Sequence, residues 1–579
     1  MSKDLYIVDE IKDLKHMISN SENKFGSKNA FISMGNNGKY DGVTYHQFKN
    51  DIDSLGTALC YMGLRGKNIA IISENRYEWC VSYLAIVNGT GIVVPLDKEL
   101  PFGEVENLLE RSEAEAVIFS GKYAASMEKI SKKNSGVRFF IDMDREDASG
   151  VFISYKALIK EGSLLMEAGN KSFINAAVDN EKMSILLFTS GTMSKPKGVM
   201  LSHKNICSNI MSICQTVYVD SKDSVLSVLP LHHTYECTIG FLTIIYSGGC
   251  ISFNQGLKHI ARNIQEFKPT ILVTVPLLLE NIYKKIWDKA SKQKFGILKL
   301  RLGLFISNVF QELFKINIGS KLFRPVHESV GGRMRMVVSG AAALEAEVSK
   351  GFRLMGINVL QGYGLTECSP LVTGNRDSLI KDGSIGIPIP GVEVKIDSSE
   401  GNNIGEILVK GSNIMLGYYK DEAETKNTIK DGWFHTGDLG YMDNKGIFYI
   451  TGRSKNVIVT KNGKNIYPEE LESYLNQSPF VLESLVCAKT DDKSGDTIVS
   501  AQVFPNLDKI REMLKVVTPS TEEVKKVIND VIKSVNKNLS LYKRIRDFSI
   551  QDTEFVKTTT RKIKRYIDNT NLQAAEKSK

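Results

Sequence analysis

Residues 68–96 read NIAIISENRYEWCVSYLAIVNGTGIVVPL and decide the fold class. An apolar, β-rich run comes first, an amphipathic helical run follows it, and a second apolar run ends the stretch at a proline. Strand-like runs return at 114–121, 224–231, 249–253 and 269–276, separated by turn- or helix-length segments. Strands that alternate with helices are typical of a sheet covered by helices on its faces. We therefore predict an α/β fold for the large N-terminal part of the chain.

The C-terminal part has a different pattern. Residues 452–477 read as strand, turn and helix, residues 484–505 as a hairpin-like pair, and residues 507–538 as a charged helical stretch. We therefore predict a small α+β domain, which divides the chain into residues 1–453 and 454–579.

Residues 281–326 combine helical periodicity, several lysines and a row of Leu, Ile and Phe. Amphipathic helices of soluble proteins show the same pattern when they pack on their own domain, and we expect such packing here. The alternative is a helix that lies on a membrane surface.

The composition indicates a folded protein with more than one domain. The chain has 579 residues, of which 42% are hydrophobic and 24% charged. Its net charge of +8 suits anionic ligands, but the basic residues are spread along the chain, so we expect no nucleic-acid partner. The eight cysteines form no CxxC motif, and the first residues lack the apolar run of a signal peptide. We expect a cytoplasmic protein. The alternative is a cytoplasmic protein that also contacts the inner face of the membrane peripherally.

The stretch TSGTMSKPKGVMLSH, residues 189–203, indicates a phosphate-binding loop. It is not a Walker A loop, because Pro196 stands where the second glycine belongs and Gly198 where the hydroxyl belongs. GYGLTE, residues 362–367, is not a dinucleotide fingerprint either, because Glu367 replaces its last glycine. Hydroxyls and ammonium groups in such a loop can still surround a triphosphate through charge-assisted contacts.

Seven stretches in one order resemble the motifs of a known family. They are TSGTMSKPKGV, LPLHHTYE (229–236), SGAAAL (339–344), QGYGLTE (361–367), WFHTGDLG (433–440), GRSKNVIVTKNGKNIYPEELE (452–472) and TRKIKR (560–565). The chain resembles the adenylate-forming (AMP-binding) superfamily, and within it the long-chain fatty acyl-CoA synthetases (fatty acid–CoA ligases). This resemblance implies a large N-terminal domain of stacked sheets with helices and a small, mobile C-terminal domain.

The resemblance also implies an ATP-dependent acid–thiol ligase. A carboxylate, here a medium- or long-chain fatty acid, attacks ATP to form an acyl-adenylate and pyrophosphate, with Mg²⁺ as the metal. Coenzyme A then takes the acyl group and AMP leaves. Two alternatives stay open: an enzyme that loads an acyl carrier protein, and a catalytically silent homologue that only binds ligands.

The same resemblance assigns site residues. The catalytic residues are Lys562, Glu367, Thr189 and His233, and Thr189 and Glu367 also lie near the magnesium. The phosphates are bound by Thr189, Ser190, Gly191, Thr192, Lys195 and Lys197. The adenine pocket comprises Gly340, Ala341, Ala342, Gln361, Gly362 and Tyr363. Gly364 and Thr366 also belong to the cofactor-binding residues. Asp438 and Arg453 bind the ribose, Lys455 lies at the hinge, and Gly463 and Lys464 belong to the loop used in thioester formation.

Two positions depart from the family pattern. Met193-Ser194 replaces the usual Thr-Gly, and Arg561 replaces the usual glycine before Lys562. In LPLHHTYE, the sequence shows no third ligand beside His232 and His233, so we expect no metal at the histidine pair.

Overall fold

The computed structural model describes residues 5–34, 40–133, 136–148, 150–189, 196–398, 403–459, 464–490, 497–557, 563 and 565. The strands are β1 Asn29–Met34, β2 Tyr40–Thr44, β3 Lys67–Ile72, β4 Gly91–Pro95, β5 Ala114–Phe119, β6 Phe139–Asp142, β7 Phe152–Ser154, β8 Met183–Thr189, β9 Lys197–Ser202, β10 Ser224–Ser227, β11 Cys250–Phe253, β12 Ile271–Thr274, β13 Met336–Ser339, β14 Asn358–Gly364, β15 Leu371–Gly374, β16 Ile387–Pro388, β17 Val392–Asp397, β18 Gly405–Gly411, β19 Gly417–Tyr418, β20 Ile429–Lys430, β21 Trp433–Met442, β22 Phe448–Arg453, β23 Ile458–Val459, β24 Asn465–Ile466, β25 Val481–Thr490, β26 Thr497–Pro505 and β27 Ile545–Ile550.

The α-helices are α1 Leu14–Phe25, α2 Tyr45–Tyr61, α3 Tyr77–Ala85, α4 Phe102–Arg111, α5 Ala124–Ser131, α6 Tyr155–Glu167, α7 His203–Thr216, α8 Thr243–Tyr246, α9 Ile260–Phe267, α10 Pro276–Ser291, α11 Gly296–Phe314, α12 Gly319–Leu322, α13 Arg324–Ser329, α14 Ala346–Leu354, α15 Glu422–Thr428, α16 Pro468–Asn476, α17 Leu507–Leu514 and α18 Thr521–Lys537. The strands and helices predicted between residues 68 and 121 are present as β3, α3, β4, α4 and β5.

The chain divides into two compact units. Unit 1 comprises residues 1–191, 195–394 and 409–434, and unit 2 comprises residues 192–194, 395–408 and 435–579. The divisions after residues 394, 408 and 434 fall within the strands β17, β18 and β21.

Two mostly parallel sheets form unit 1. The nine-stranded sheet has the order β16-β15-β14-β13-β12-β10-β11-β1-β2, and the eight-stranded sheet has the order β19-β9-β8-β4-β3-β5-β6-β7. The central strands of both sheets are apolar on both faces, as expected for strands covered by helices. The predicted α/β fold of the large N-terminal part is confirmed.

The core of unit 1 follows the two sheets. Leu272, Val337 and Val359 of the nine-stranded sheet pack with Phe352 of α14. Ala70, Val94, Val117 and Leu186 of the eight-stranded sheet pack with the apolar side of α4, which includes Leu108. The carboxyl ends of the central parallel strands are the edges where α/β sheets bind ligands.

Unit 2 contains a small sheet of order β25-β26-β27. Val486 and Ala501 of this sheet pack against Leu471 of α16 and Ile528 of α18. The predicted hairpin is present, and the predicted charged helical stretch at 507–538 is divided into the two helices α17 and α18. The α+β character of this part is confirmed.

Residues 281–326 are helical, as predicted, but their apolar side chains are only partly packed. α11 buries the side defined by Gly296, Leu300, Gly303 and Ser307. Large apolar side chains around this helix are exposed: Phe295, Ile297, Leu298, Leu302, Phe305, Phe310, Leu313, Phe314 and Ile316. Packing on the domain therefore explains the buried side of α11. It does not explain why large apolar side chains are exposed on the other side. Among the described residues, no helix is both long and apolar enough to cross a membrane.

Candidate active site

The phosphate-loop motif lies on a β-hairpin. β8 and β9 pair antiparallel, with Phe188 opposite Gly198 and Thr189 opposite Lys197. The apolar run before Thr189 forms the buried strand β8, so the loop begins where the strand reaches the surface of the core. The predicted phosphate-binding residues Ser190, Gly191, Thr192 and Lys195 lie outside the described residues, as does Met193-Ser194.

Lys197 and Glu367 both contact Tyr418, a residue that the sequence analysis missed. The Tyr418 hydroxyl donates to Glu367 Oε1 at 3.0 Å, and Lys197 Nζ lies 5.0 Å from the centre of the Tyr418 ring. Lys197 also pairs with Glu424 of α15. Burial and the neighbouring Glu367 carboxylate raise the pKa of Tyr418, so this hydroxyl stays protonated and remains a donor. The local signal for Tyr418 was the tyrosine pair of GYYK, residues 417–420.

Strand pairing brings Tyr418 to the hairpin. β19 pairs antiparallel with β9, with Tyr418 opposite Val199. Two backbone hydrogen bonds flank this pairing, from Leu416 N–H to Met200 O at 2.9 Å and from Tyr419 N–H to Gly198 O at 2.7 Å. The aromatic ring is therefore fixed beside Lys197 by backbone geometry.

Side-chain amides hold the turn that carries Glu367. Glu367 lies in a 3₁₀ turn, Thr366–Cys368, between β14 and β15. The Asn413 side-chain amide donates to Cys368 O at 3.1 Å and Leu371 O at 3.0 Å, and Asn209 of α7 donates to Leu371 O at 2.8 Å. Buried amides of this kind leave few alternative positions for the turn.

The predicted adenine-pocket residues lie at the ends of neighbouring parallel strands. Gly340 directly follows β13, whose last residue, Ser339, is opposite Gln361 of β14. A Cβ added at Gly340 would lie 3.0 Å from the Tyr235 ring, so a larger residue would displace that ring. Ala341 has φ +71°, a left-handed conformation that turns the chain sharply after the strand. Ala342, the next residue, is exposed.

A row of buried polar atoms crosses this sheet edge. Thr274 of β12, Ser339 and Gln361 occupy the same register on three adjacent strands. Their side-chain atoms Oγ1, Oγ and Oε1 are buried and have no hydrogen-bond partner among the described residues. Buried polar atoms normally have a partner, so this edge requires a polar ligand or ordered water.

Tyr363, predicted to stack on adenine, is buried within β14, with only 7% of its surface exposed. Gly362 lies opposite Gly374 of β15, and the half-buried Thr366 begins the turn that carries Glu367. A Cβ at Gly364 would lie 2.0 Å from Pro370 O, so only glycine fits where β14 meets the turn.

The histidine pair has a third neighbour, which corrects the expectation from the sequence. The rings of His232 and His233 have centroids 4.3 Å apart, and Asp97 Oδ1 lies 3.5 Å from His232 Nε2. One ligand atom from each of Asp97, His232 and His233 lies within 4.8 Å of the others. The prediction that no third ligand accompanies the pair is wrong, because the fold brings Asp97 from the end of β4 to the segment after β10.

The predicted ribose-binding residues pair with each other in unit 2. Asp438 of β21 is opposite Arg453 of β22, and Arg453 Nε donates to Asp438 Oδ1 at 2.8 Å. The Asp438 N–H donates to Thr436 Oγ1 at 3.0 Å, and Asp438 is only 5% exposed. A buried carboxylate beside a half-exposed guanidinium provides an acceptor and a donor for neighbouring hydroxyls.

The remaining predicted residues lie after this pair. Lys455 is exposed in a short 3₁₀ turn, and Lys464 Nζ lies 4.9 Å from the centre of the Tyr542 ring. Gly463, Arg561 and Lys562 lie outside the described residues. Arg565, three residues after Lys562, pairs with Glu472 of α16 at 2.5 Å and donates to Val486 O at 3.2 Å.

The donor set of unit 1 fits Mg²⁺. Thr189 and Glu367 offer a hydroxyl and a carboxylate, the hard oxygen ligands that Mg²⁺ prefers, and phosphate oxygens would complete its shell. The unsatisfied polar row at the sheet edge likewise fits a polar ligand such as a nucleotide.

Comparisons with known proteins show which family the chain belongs to. A family model described as "AMP-binding enzyme" matches residues 18–419. The rat (Rattus norvegicus) long-chain-fatty-acid–CoA ligase 5 is 32% identical over 479 residues, covering 78% of this chain and 69% of that protein. The chloroplastic long-chain-fatty-acid–[acyl-carrier-protein] ligase AEE15 of Arabidopsis thaliana is 26% identical over 610 residues, covering 93% of this chain and 80% of that protein.

The fold is also that of a solved enzyme. The crystal structure of an anthranilate CoA ligase in complex with anthranoyl-AMP superimposes with a TM-score of 0.76 at 22% identity, covering 99% of each chain. This likeness confirms the predicted fold. The family match and the rat relative confirm the predicted enzyme class, an AMP-forming acid–thiol ligase. The chain belongs to the AMP-binding enzyme family.

Proposed function

We propose that this enzyme activates a medium- or long-chain fatty acid with ATP and transfers the acyl group to coenzyme A. In the first step a carboxylate oxygen attacks the α-phosphorus, the bond from the α-phosphorus to the bridging oxygen breaks, and pyrophosphate leaves. In the second step the CoA sulfur attacks the acyl carbon, the bond from that carbon to the AMP oxygen breaks, and AMP leaves. The thiol proton passes to solvent.

The observation that carries this proposal is the arrangement of Glu367, Tyr418 and Lys197 at the β8–β9 hairpin. Pyrophosphate departure concentrates negative charge, which preorganised cations and hydrogen-bond donors stabilise. In this proposal Lys197 and the hairpin loop bind the β- and γ-phosphates, while Thr189 and Glu367 hold Mg²⁺. Mg²⁺ would neutralise the phosphate charge when bound.

Residues 454–579 are proposed to act as the mobile domain. Asp438 and Arg453 would bind the ribose hydroxyls, and Lys562 would contact the carboxylate and the α-phosphate. A rotation about Lys455 would then exchange Lys562 for Gly463 and Lys464 before thioester formation. Hinges of this kind need only a few residues that change their backbone angles.

The names of the relatives support the substrate. The rat relative is a long-chain-fatty-acid–CoA ligase, which favours a fatty acid and coenzyme A. The Arabidopsis relative names an acyl carrier protein as its acceptor, so that acceptor is the second candidate.

A membrane surface is the proposed source of the fatty acid. Leu298, Leu302, Phe305 and Leu313 are exposed and recur at spacings of four, three and eight residues, which places them on one side of α11. Exposed cations lie around the same helix: Lys292, Lys294, Lys299, Arg301 and Lys315. Apolar side chains flanked by cations fit an anionic bilayer surface, here the inner face of the membrane of a cytoplasmic enzyme.

The test is carboxylate-dependent exchange between ATP and pyrophosphate. It is run with fatty acids of increasing length and with aryl acids, beside Lys562→Ala and the matched control Lys533→Ala on α18. We expect exchange that is greatest with long chains, is lost in Lys562→Ala and is kept in Lys533→Ala.

The acceptor is tested by adding coenzyme A or acyl carrier protein and measuring AMP release. CoA-dependent release supports the proposal, whereas release with the carrier protein alone identifies the second candidate. Absence of exchange with every acid tested would contradict the enzyme activity and support the silent homologue.

A further inference from the structure

The side chains of Asp97, His232 and His233 come together where the two large sheets of unit 1 end. Asp97 follows β4 of the eight-stranded sheet, and the histidines follow β10 of the nine-stranded sheet. Their three candidate ligand atoms lie within 4.8 Å of one another. Two imidazoles and one carboxylate form a donor set typical of transition-metal ions.

The backbone around each of the three residues is fixed. Asp97 Oδ1 accepts from Glu99 N–H at 2.8 Å, which orients the carboxylate within its turn. Asn75 donates to Leu229 O at 2.6 Å and accepts from Leu231 N–H at 3.1 Å, which ties down the residues just before the histidines. The ligand atoms are therefore presented by two rigid segments, as a metal site requires.

His232 provides an independent indication of a ligand. Its side chain is only 6% exposed, and its Nε2 atom has no hydrogen-bond partner among the described residues. The nearest acidic oxygen, Asp97 Oδ1, lies 3.5 Å away, beyond a normal N–H···O hydrogen bond. Two ligands about 2.1 Å from a tetrahedral Zn²⁺ ion lie about 3.4 Å apart, so this separation fits a shared ion.

We propose that Asp97, His232 and His233 form a binding site for a transition-metal ion of the Zn²⁺ type. Three protein ligands leave a fourth position for water or another small donor. Asp97 and His233 are half-buried, so a small rotation of either side chain adjusts the remaining separations and gives the ion a route of entry.

The site has a consequence for catalysis that rests on the proposed function. The family resemblance makes His233 a catalytic residue, and in the proposed function its ring would lie near the acyl site and gate access for the carboxylate or the thiol. An ion bound to His233 would hold that ring in one orientation. Zn²⁺ would therefore inhibit the enzyme through residues distinct from the Mg²⁺ ligands Thr189 and Glu367.

The test measures metal binding without any reaction. Full-length protein is stripped with a chelator, titrated with Co²⁺ or Zn²⁺ alone, and followed by visible absorption and by metal content after dialysis. We expect one Co²⁺ per chain with a tetrahedral spectrum. Asp97→Asn and His232→Gln should each weaken binding by at least about tenfold.

The matched control is His259→Gln, which removes an exposed histidine elsewhere in unit 1 and should bind as the unchanged protein does. Asp97→Asn changes a partly exposed side chain, so it remains informative if His232→Gln does not fold. Absence of stoichiometric binding, or equal binding by Asp97→Asn and the unchanged protein, would overturn the site.

A second measurement tests the metal site and the proposed function separately. Zn²⁺ should inhibit ATP–pyrophosphate exchange in the unchanged protein and have at least about tenfold less effect on Asp97→Asn. If no acid supports exchange, the proposed function fails, while the Co²⁺ stoichiometry still decides the metal site.

Discussion

Tyr418 determines how the Glu367 carboxylate is presented to the phosphate-loop hairpin. Its hydroxyl donates to Glu367, and its ring lies beside Lys197, so one side chain contacts an anion and a cation of the candidate site. Neighbouring Tyr419 follows directly after β19, and its hydroxyl donates to a different carboxylate, that of Glu113, at 2.9 Å. The two adjacent tyrosines therefore form a natural pair of test and control.

We expect Tyr418→Phe to raise the KM for Mg-ATP about tenfold. The variant keeps the ring beside Lys197 but loses a hydrogen bond to a carboxylate, a contribution of about 1.5 kcal/mol. Steady-state exchange kinetics at varied Mg-ATP would measure the change, with Tyr419→Phe as the control. Equal KM values for the two variants would show that Tyr418 has no part in nucleotide binding.

Single site residues could be predicted from the sequence where they belong to a short, recognisable motif. Glu367 and Asp438 lie within short motifs, so resemblance found them without knowledge of the fold. Asp97 and Tyr418 act through partners far away in the chain, Asp97 beside His232 and Tyr418 beside Glu367. Only the three-dimensional fold shows these contacts. The periods of strands and helices are local, so they say nothing about residues that belong to different elements far apart in the sequence.

At the scale of elements, β25 and α16 anchor the chain on the two sides of Lys562: Lys557 pairs with Glu483 of β25, and Arg565 pairs with α16. Arg565 pairs with Glu472 and also lies 3.4 Å from Glu469. Burial raises the pKa of Glu472, while the Arg565 guanidinium opposes that rise by stabilising the carboxylate. Before Lys562, Lys557 forms a bridge with Ile563 and pairs with Glu483. These contacts give Arg565 a proposed positioning role.

We expect Arg565→Ala to slow ATP–pyrophosphate exchange by up to about 100-fold, because a displaced catalytic group loses most of its effect. Thioester formation from supplied acyl-adenylate should change much less, since the proposal assigns that step to Gly463 and Lys464. Single-turnover assays of each half-reaction measure the split, with Arg511→Ala on α17 as the control. Equal slowing of both half-reactions would indicate general destabilisation of unit 2 instead.

The elements themselves were largely predictable, because strand and helix periods are local signals. The parallel strands around residues 68–121 and the hairpin at 484–505 appear where the pattern placed them. The division into units could not be predicted, because it depends on contacts between residues far apart in the sequence. Unit 2 includes residues 395–408 and begins again at His435. The boundary at 453/454 concerns motion between half-reactions and stays a prediction.

At the scale of the whole molecule, the exposed side of α11 stands out from the rest of the surface. Leu298, Phe305 and Leu313 are 64%, 66% and 72% exposed, and they lie along one helix rather than scattered singly. The sequence pattern predicted an amphipathic helix but could not show that its buried side consists of small residues and Leu300. The large apolar side chains therefore face outward. This favours the alternative of a helix on a membrane surface over the expectation that the whole apolar side packs on the domain.

We expect the protein to co-sediment with vesicles that contain anionic lipid, and Leu302→Asp/Phe305→Asp to lower the partition coefficient at least about tenfold. Burying one such side chain contributes about 1.5–3 kcal/mol, and each new carboxylate is repelled by the anionic surface. The matched control is Val151→Asp/Leu164→Asp, which adds the same charges at exposed apolar positions of unit 1. Binding that depends on α11 should also weaken with salt, because the surrounding lysines supply part of the attraction. If both double variants bind as the unchanged protein does, α11 is not the docking surface; if both lose binding equally, net charge alone explains the association.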